Sequence, residues 1–279
     1  MKTFTSADQG LADAQAMLGR MYATGQGVPM DAVEAVKWYR KAAAQGNADG
    51  QIELGFAYAT GQGVPKDAVE AVKWYRKAAD QGDADGQIEL GFAYAKGQGV
   101  PKDEAEAVKW FRKAADQRNA QAQSNLGFMY AKGRGVPMDA VEAVKWYRKA
   151  AAQGHVRAQL NLGFIYERGR SGFFDKKMES LFRVGQHIEV DKDEAEALKW
   201  YRKAADQGEV FAQYRLGEMY ANGRGVPKDE TEAYKWYLLA GANGLDYVKV
   251  RISGIERKIK PAQRAEGQRR ATEWKPQKP

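Results

Sequence analysis

The chain of 279 residues contains no cysteine. That excludes disulfides and every cysteine-ligated metal site. Its only histidines are His155 and His187, and no His-Glu-x-x-His occurs, so no common zinc site is encoded. No apolar run approaches the ~20 residues that a membrane-crossing helix needs. The opening residues, MKTFTSADQGLADAQ, lack the apolar core of a signal peptide. Together with the missing cysteine, this makes the cytoplasm the default expectation. The recurrent Gly-x-Gly segments are not followed by Gly-Lys-Ser/Thr and do not follow a strand, so they are not phosphate loops. No nucleophile, base and orienting group stand together. The expectation is a non-enzyme, with no cofactor and no metal.

Charge of one sign is also scarce over most of the length. The formal net charge is +8, but residues 246–279 hold ten Lys/Arg against four Asp/Glu, leaving only +2 for the 245 residues before them. The basic balance therefore belongs mainly to the C-terminal tail.

What is present is repetition. The segment Leu54 to Trp74, LGFAYATGQGVPKDAVEAVKW, recurs at 18–38, 90–110, 126–146 and 216–236, and in broken form at 162–200. The turn prolines Pro29, Pro65, Pro101 and Pro137 stand 36 residues apart. A fixed period of this size marks a stacked repeat array. The units fall at 12–47, 48–83, 84–119, 120–155, 156–209 and 210–245, preceded by a degenerate half-unit at 1–11.

Each unit reads as two helices. In the first, over 84–96, Leu90 and Tyr94 lie four apart on one face. Gly91 costs roughly 1 kcal/mol of helix propensity, so its recurrence implies a close approach by another helix. Gly97 and Gly99 stop the helix, and Pro101 sets the exit. Asp103 with Glu106 reads as a capping box opening the second helix. The pair recurs as Asp31/Glu34, Asp67/Glu70, Asp139/Glu142, Asp193/Glu196 and Asp229/Glu232. These carboxylates are caps, not an acid and base. Ala107, Trp110, Ala114 and Ala115 form the apolar stripe.

The motif LG-x-x-Y-x-x-G-x-G-V-P-x-D, followed by A-V-K-W-Y-R-K-A-A, resembles the Sel1-like repeat family, a relative of the tetratricopeptide repeats. The resemblance covers 12–245. It implies an all-α, right-handed superhelical solenoid of antiparallel helix pairs, acting as a scaffold or adaptor in protein complexes. It also implies a bacterial source, with the periplasm or cell envelope as an alternative location. Some cysteine-rich relatives are associated with penicillin binding and β-lactamase activity. Here none of Ser6, Ser124, Ser171, Ser180 or Ser253 begins a Ser-x-x-Lys motif, so a cell-wall enzyme or enzyme regulator is the disfavoured class.

The fifth unit is 54 residues long, opened by residues 171–189. Phe174, Met178, Leu181 and Phe182 there fit one face of a short helix. That face either packs on neighbouring repeats or docks a partner. Beyond 245 the pattern degrades into helical stretches at 246–259 and 261–274, read as C-terminal capping helices with a basic tail. A solenoid needs such a cover for its last apolar face.

Comparing the six units separates fixed from variable positions. Positions two, six, nine and thirteen of the first helix vary and share a face. By resemblance this face lines the concave groove. Position nine reads Arg20, Phe56, Phe92, Phe128, Phe164, Glu218. Position two supplies Asp49 and Asp85, and position six supplies Glu53, Glu89, Asn125 and Asn161. The reading is a groove with an aromatic floor, acidic in units two and three and basic toward units five and six. It would suit a peptide or helix of another protein, bound by a monomer. The competing reading packs the phenylalanines on adjacent helices. A second class stays open: Lys109, Arg112 and Lys113 recur at the same places in each second helix but the last, which has Leu238 and Leu239, and this ladder with the basic tail could bind nucleic acid or an anionic surface.

Overall fold

The computed structural model describes residues 2–169 and 190–277. Every regular element among them is helical, with no strand. The helices are α1 (Lys2–Asp8), α2 (Ala12–Thr24), α3 (Ala32–Ala44), α4 (Ala48–Thr60), α5 (Ala68–Asp80), α6 (Ala84–Lys96), α7 (Glu104–Asp116), α8 (Ala120–Lys132), α9 (Ala140–Ala152), α10 (Val156–Arg168), α11 (Glu194–Asp206), α12 (Val210–Asn222), α13 (Glu230–Ala242), α14 (Lys249–Glu256) and α15 (Pro261–Glu273). A 3-10 turn, Asp246–Val248, leads into α14. Two compact units are present, one of Met1–Met129 with Gly133–Pro137, the other of Tyr130–Lys132 with Met138–Pro279.

Local chemistry sets each helix boundary. Gly61 leaves α4 at φ +82°, and its N–H donates to the Ala57 carbonyl at 2.8 Å. Only glycine takes this conformation without a Cβ penalty. Asp67 then opens α5, its side chain accepting from the N–H groups of Val69 and Glu70, each at 3.0 Å. The reciprocal half of a capping box is missing. Glu70 turns instead to Lys73 at 2.7 Å, and the Asp67 N–H donates to the Tyr58 carbonyl at 2.8 Å. The same exchange occurs in every unit, as at Asp31–Tyr22, Asp103–Tyr94 and Asp229–Tyr220. The aspartate thus caps one helix with its side chain and ties it to the other with its backbone.

The interior repeats as faithfully. Leu18, Leu54, Leu90, Leu126, Leu162 and Leu216 are fully buried. The recurring glycine after each has the packing reason its propensity cost demanded. A Cβ on Gly19, Gly55 or Gly91 would stand 2.6–2.7 Å from the ring of Tyr39, Tyr75 or Phe111 respectively. That aromatic, immediately after the tryptophan, is a core residue of each helix pair. A second contact lies between repeats: a Cβ on Gly63 or Gly99 would strike the first-turn carbonyl of the preceding second helix, at Ala32 or Ala68.

The fifth pair keeps its geometry despite the 54-residue spacing. The Asp193 N–H still donates to the Tyr166 carbonyl, at 2.8 Å, and Tyr201 still covers Gly163. Phe174, Met178, Leu181 and Phe182 lie outside the described residues. At the far end α15 packs on α13. Gly267 sits against Tyr234, Arg270 reaches Glu232 at 3.2 Å, and the Trp274 ring meets Trp236 edge-on at 6.4 Å.

Candidate functional site

Within each compact unit, neighbouring first helices touch at the variable positions nine and six. Arg20 of α2 meets Glu53 of α4 at 3.3 Å. In the second unit, Arg215 of α12 lies over Phe164 of α10, 5.3 Å from the ring centre. One step further, Arg251 of α14 meets Glu218 of α12 at 3.1 Å.

The four phenylalanines on this face do not present equal surface. Phe56 and Phe128 are exposed, at 48% and 39%. Phe92 and Phe164 are half-buried, because each meets the core aromatic of its own repeat edge-on: Phe92 with Phe111 at 5.3 Å, Phe164 with Tyr201 at 5.6 Å. Recognition surface and packing are therefore divided among the four, rather than one description covering all.

The first unit's face is acidic. Asp49 and Asp85 are exposed and Glu53 and Glu89 half-buried. Asn47 donates to Asp13 at 2.7 Å and Asn119 to Asp85 at 3.2 Å. Burial pushes the Glu89 carboxyl above its usual range, with Lys96 pulling the other way. Lys96 lies over Phe92 and Arg134 over Phe128, 5.1 and 5.5 Å from the ring centres. Asn125 is half-buried, its Oδ1 accepting from Gln121 at 3.1 Å.

The second unit's face has another character. Asn161 and Phe164 are half-buried there, and Arg157 and Arg168 are exposed. The nearby carboxylates are turned into internal bonds. Glu167, 7% exposed, accepts from the Tyr201 hydroxyl at 2.6 Å and from Arg224 at 2.9 Å. Glu218 accepts from the Tyr237 hydroxyl at 2.5 Å, and Glu209 caps the N-terminus of α12.

The second-helix ladder is occupied by the fold itself. Lys73, Lys109 and Lys145 pair with Glu70, Glu106 and Glu142 at 2.6–2.8 Å, which raises their ammonium pKa through the hydrogen bond to each carboxylate. Lys77 and Lys113 lie 3.8 Å from the ring centres of Trp74 and Trp110. Arg76 donates to the Tyr94 hydroxyl at 2.5 Å and Arg148 to Tyr166 at 2.6 Å. Most of the tail arginines are likewise engaged, Arg269 and Arg270 with Glu266 and Arg264 with the Glu256 carbonyl.

A polar element escaped the sequence reading. Gln15, Gln51, Gln87, Gln123, Gln159 and Gln213 are buried at position four. Gln87 donates to the Ala79 carbonyl at 3.3 Å and accepts from Gln117 at 3.0 Å. Gln81–Gln51 and Gln207–Gln159 repeat the link from Gln117 to Gln87, each within its own repeat. Its signal was available: a glutamine identical in all six copies that caps nothing.

Among the described residues no group of three or more His, Cys, Asp or Glu could hold a metal ion, and no helix is long and apolar enough to cross a membrane. His155 is an N-cap, its Nδ1 accepting from the Ala158 N–H at 3.2 Å.

The family model described as Sel1 repeat matches residues 12–47, 48–83, 84–119, 120–155, 156–176, 180–209 and 210–245. The enlarged fifth unit is thus matched in two pieces. Among solved structures, the chain is similar to a Sel1 repeat protein from Oxalobacter formigenes, with 38% identity, 84% of this chain and 88% of that one covered, and a TM-score of 0.70. It is also similar to c5321, a protective antigen of uropathogenic Escherichia coli displaying an SLR fold, at 29% identity, 98% and 78% coverage and a TM-score of 0.48. A third is immunity protein Pa5087 from Pseudomonas aeruginosa, at 23% identity, 84% and 83% coverage and a TM-score of 0.47. No protein with a curated description matches the chain.

Proposed function

Because the chain belongs to the Sel1 repeat family, whose repeats generally mediate protein–protein interaction, we propose that it is a non-enzymatic adaptor that holds a partner segment on the first-helix face. In the first unit that segment lies along α4, α6 and α8. The observation that carries this reading is the division of labour within each repeat. Leucine, glycine, tyrosine, tryptophan and glutamine hold the helices together, and the variable positions beside them leave Phe56 and Phe128 uncovered among Asp49, Glu53, Asp85 and Glu89. Exposed apolar groups rimmed by charge are characteristic of recognition surfaces, and on this face the four carboxylates stand beside the cations Lys96 over Phe92 and Arg134 over Phe128. The partner segment is basic, with apolar side chains spaced to meet the two phenylalanines.

Nucleic-acid binding through the second-helix ladder is disfavoured. Its lysines and arginines already pair with glutamates, tryptophans and tyrosines of the fold, and phosphate contacts would have to compete with those pairs.

The test is an affinity capture from lysate of the source organism with the intact chain beside a Phe56→Ser/Phe128→Ser variant. These two are chosen over Phe92 because they lie outside the core. A protein identified by mass spectrometry that is retained by the intact chain and lost by the folded variant supports the reading. Equal retention by both chains sinks it.

A further inference from the structure

The second unit's first-helix face carries chemistry opposite to the first unit's. Four arginines reach it: Arg157 and Arg168 of α10, Arg215 of α12 and Arg251 of α14. Neither Arg157 nor Arg168 has an ion-pair partner among the described residues. Arg157 feels the carboxylate of Glu209, and Arg168 lies 5.9 Å from the centre of the Phe164 ring. Arg215 is clasped between Phe164 and Tyr214, 5.3 and 6.0 Å from their centres, so its side chain is held while its charge stays at the surface.

Aromatic surface lies among these cations. Phe211 and Tyr247 are exposed, at 48% and 53%, and Tyr247 meets Tyr214 edge-on at 5.3 Å. The acids nearby neutralise only part of the face: Glu218 pairs with Arg251 at 3.1 Å and Glu167 lies 3.9 Å from Arg215, which leaves the charges of Arg157 and Arg168. Glu167 and Glu218 spend their oxygens on Tyr201, Arg224, Tyr237 and Arg251, and Glu209 spends one on the Ala212 N–H at 2.5 Å. What remains accessible is guanidinium and aromatic ring. That combination recognises carboxylates through paired N–H donors and accepts apolar or aromatic side chains between them.

We propose that the face built by α10, α12 and the 3-10 turn docks an acidic segment of a partner protein, one that carries aromatic or aliphatic residues between its carboxylates. This extends the adaptor reading to a second surface with the opposite charge preference. It stands on different residues, so the two can fail separately.

Two fluorescein-labelled synthetic peptides of equal length test it, one alternating Glu with Phe and Leu, the other Lys with Phe and Leu. Binding to the full chain is read by fluorescence anisotropy at low and at raised salt. The acidic peptide is expected to bind and to weaken as salt screens the contact. Arg157→Glu/Arg168→Glu should weaken it at least tenfold and Phe211→Ser about fivefold. Asp49→Lys/Asp85→Lys, on the other face, should leave it unchanged while weakening the lysine peptide. Both arginines and Phe211 are surface residues, and circular dichroism verifies that each variant is folded. No binding of the acidic peptide, or equal binding by the arginine variant, overturns the proposal without touching the first face. Tighter binding of a single-stranded oligonucleotide, lost in the same arginine variant, also overturns it, since the surface would then serve phosphate rather than protein.

Discussion

The third repeat, 84–119, and the fifth, 156–209, solve the same packing problem with different connections. In the third, Gly97 and Gly99 turn the chain within a few residues, and Gly99 rests against the backbone of Ala68. In the fifth that turn is interrupted, yet Tyr201 covers Gly163 as Phe111 covers Gly91, and the aspartate-to-tyrosine backbone bond survives. The helix pair is therefore specified by the contacts between its helices, and the turn is a consequence. The fifth repeat also adds a bond. Where α6 has Ala95, α10 has Glu167, which binds Tyr201 in its own pair and Arg224 in the next turn.

The sharpest way to break this equivalence is at the shared contact. Gly91→Val and Gly163→Val should each destabilise by about 3 kcal/mol, since a branched side chain would drive into the facing ring. Urea midpoints at constant slope measure this, and a marked difference between the two would mean that the repeats are not held alike. Glu167→Ala should cost about 2 kcal/mol by leaving Arg224 and the Tyr201 hydroxyl without their acceptor. The third repeat, with Ala95 there, has no corresponding loss to suffer. Phe92→Ser is expected to cost about 1 kcal/mol through its lost edge contact with Phe111, and Phe56→Ser nearly nothing. Equal costs would remove the distinction between packing and exposed phenylalanines.

The caps differ as well. Asp83 opens α6, whereas His155 opens α10 through an unprotonated Nδ1. Burial, then Arg157, lowers the His155 pKa below its usual 6.5. A lowered histidine pKa means that the unfolded chain binds the proton more readily. The contribution is thus present above pH 6.5 and lost as pH falls from there through the folded value. His155→Asn, the residue at Asn47 and Asn119, should retain the cap and flatten that part of the stability profile. A thermal melt series from pH 7.5 to 5 reads it. The smallest effect is expected from replacing residues 171–189 by a single glycine, which restores the length of the third repeat's turn. The melting temperature should hold or rise, and a collapse would show that the turn region contributes to the pair.

Much of this was legible along the chain. The 36-residue period, the helix pairs, the Asp103 cap and the reason for Gly91 follow from spacing and propensity, since these act over a few residues. The reading of Asp103 and Glu106 as a reciprocal box went one step too far, because Lys109 competes for the glutamate and the Tyr94 carbonyl takes the aspartate N–H. The candidate face was legible as a set of variable positions, but its division was not. Phe92 and Phe128 occupy the same register, and only the packing around each makes one half-buried and the other exposed.

Sequence alone therefore determined the repeat, its helices and the family, because those depend on local periodicity copied many times. Tertiary structure decided what each polar and aromatic group does. Gln87 is buried because two helices close over it, Arg76 is engaged because the Tyr94 hydroxyl of the next repeat meets it, and Glu167 turns inward because Tyr201 and Arg224 reach it from other elements. Those outcomes are set by which groups meet across helices, and in a repeat array such partners stand far apart in the chain, by 18 residues for Arg76 and Tyr94 and 57 for Glu167 and Arg224.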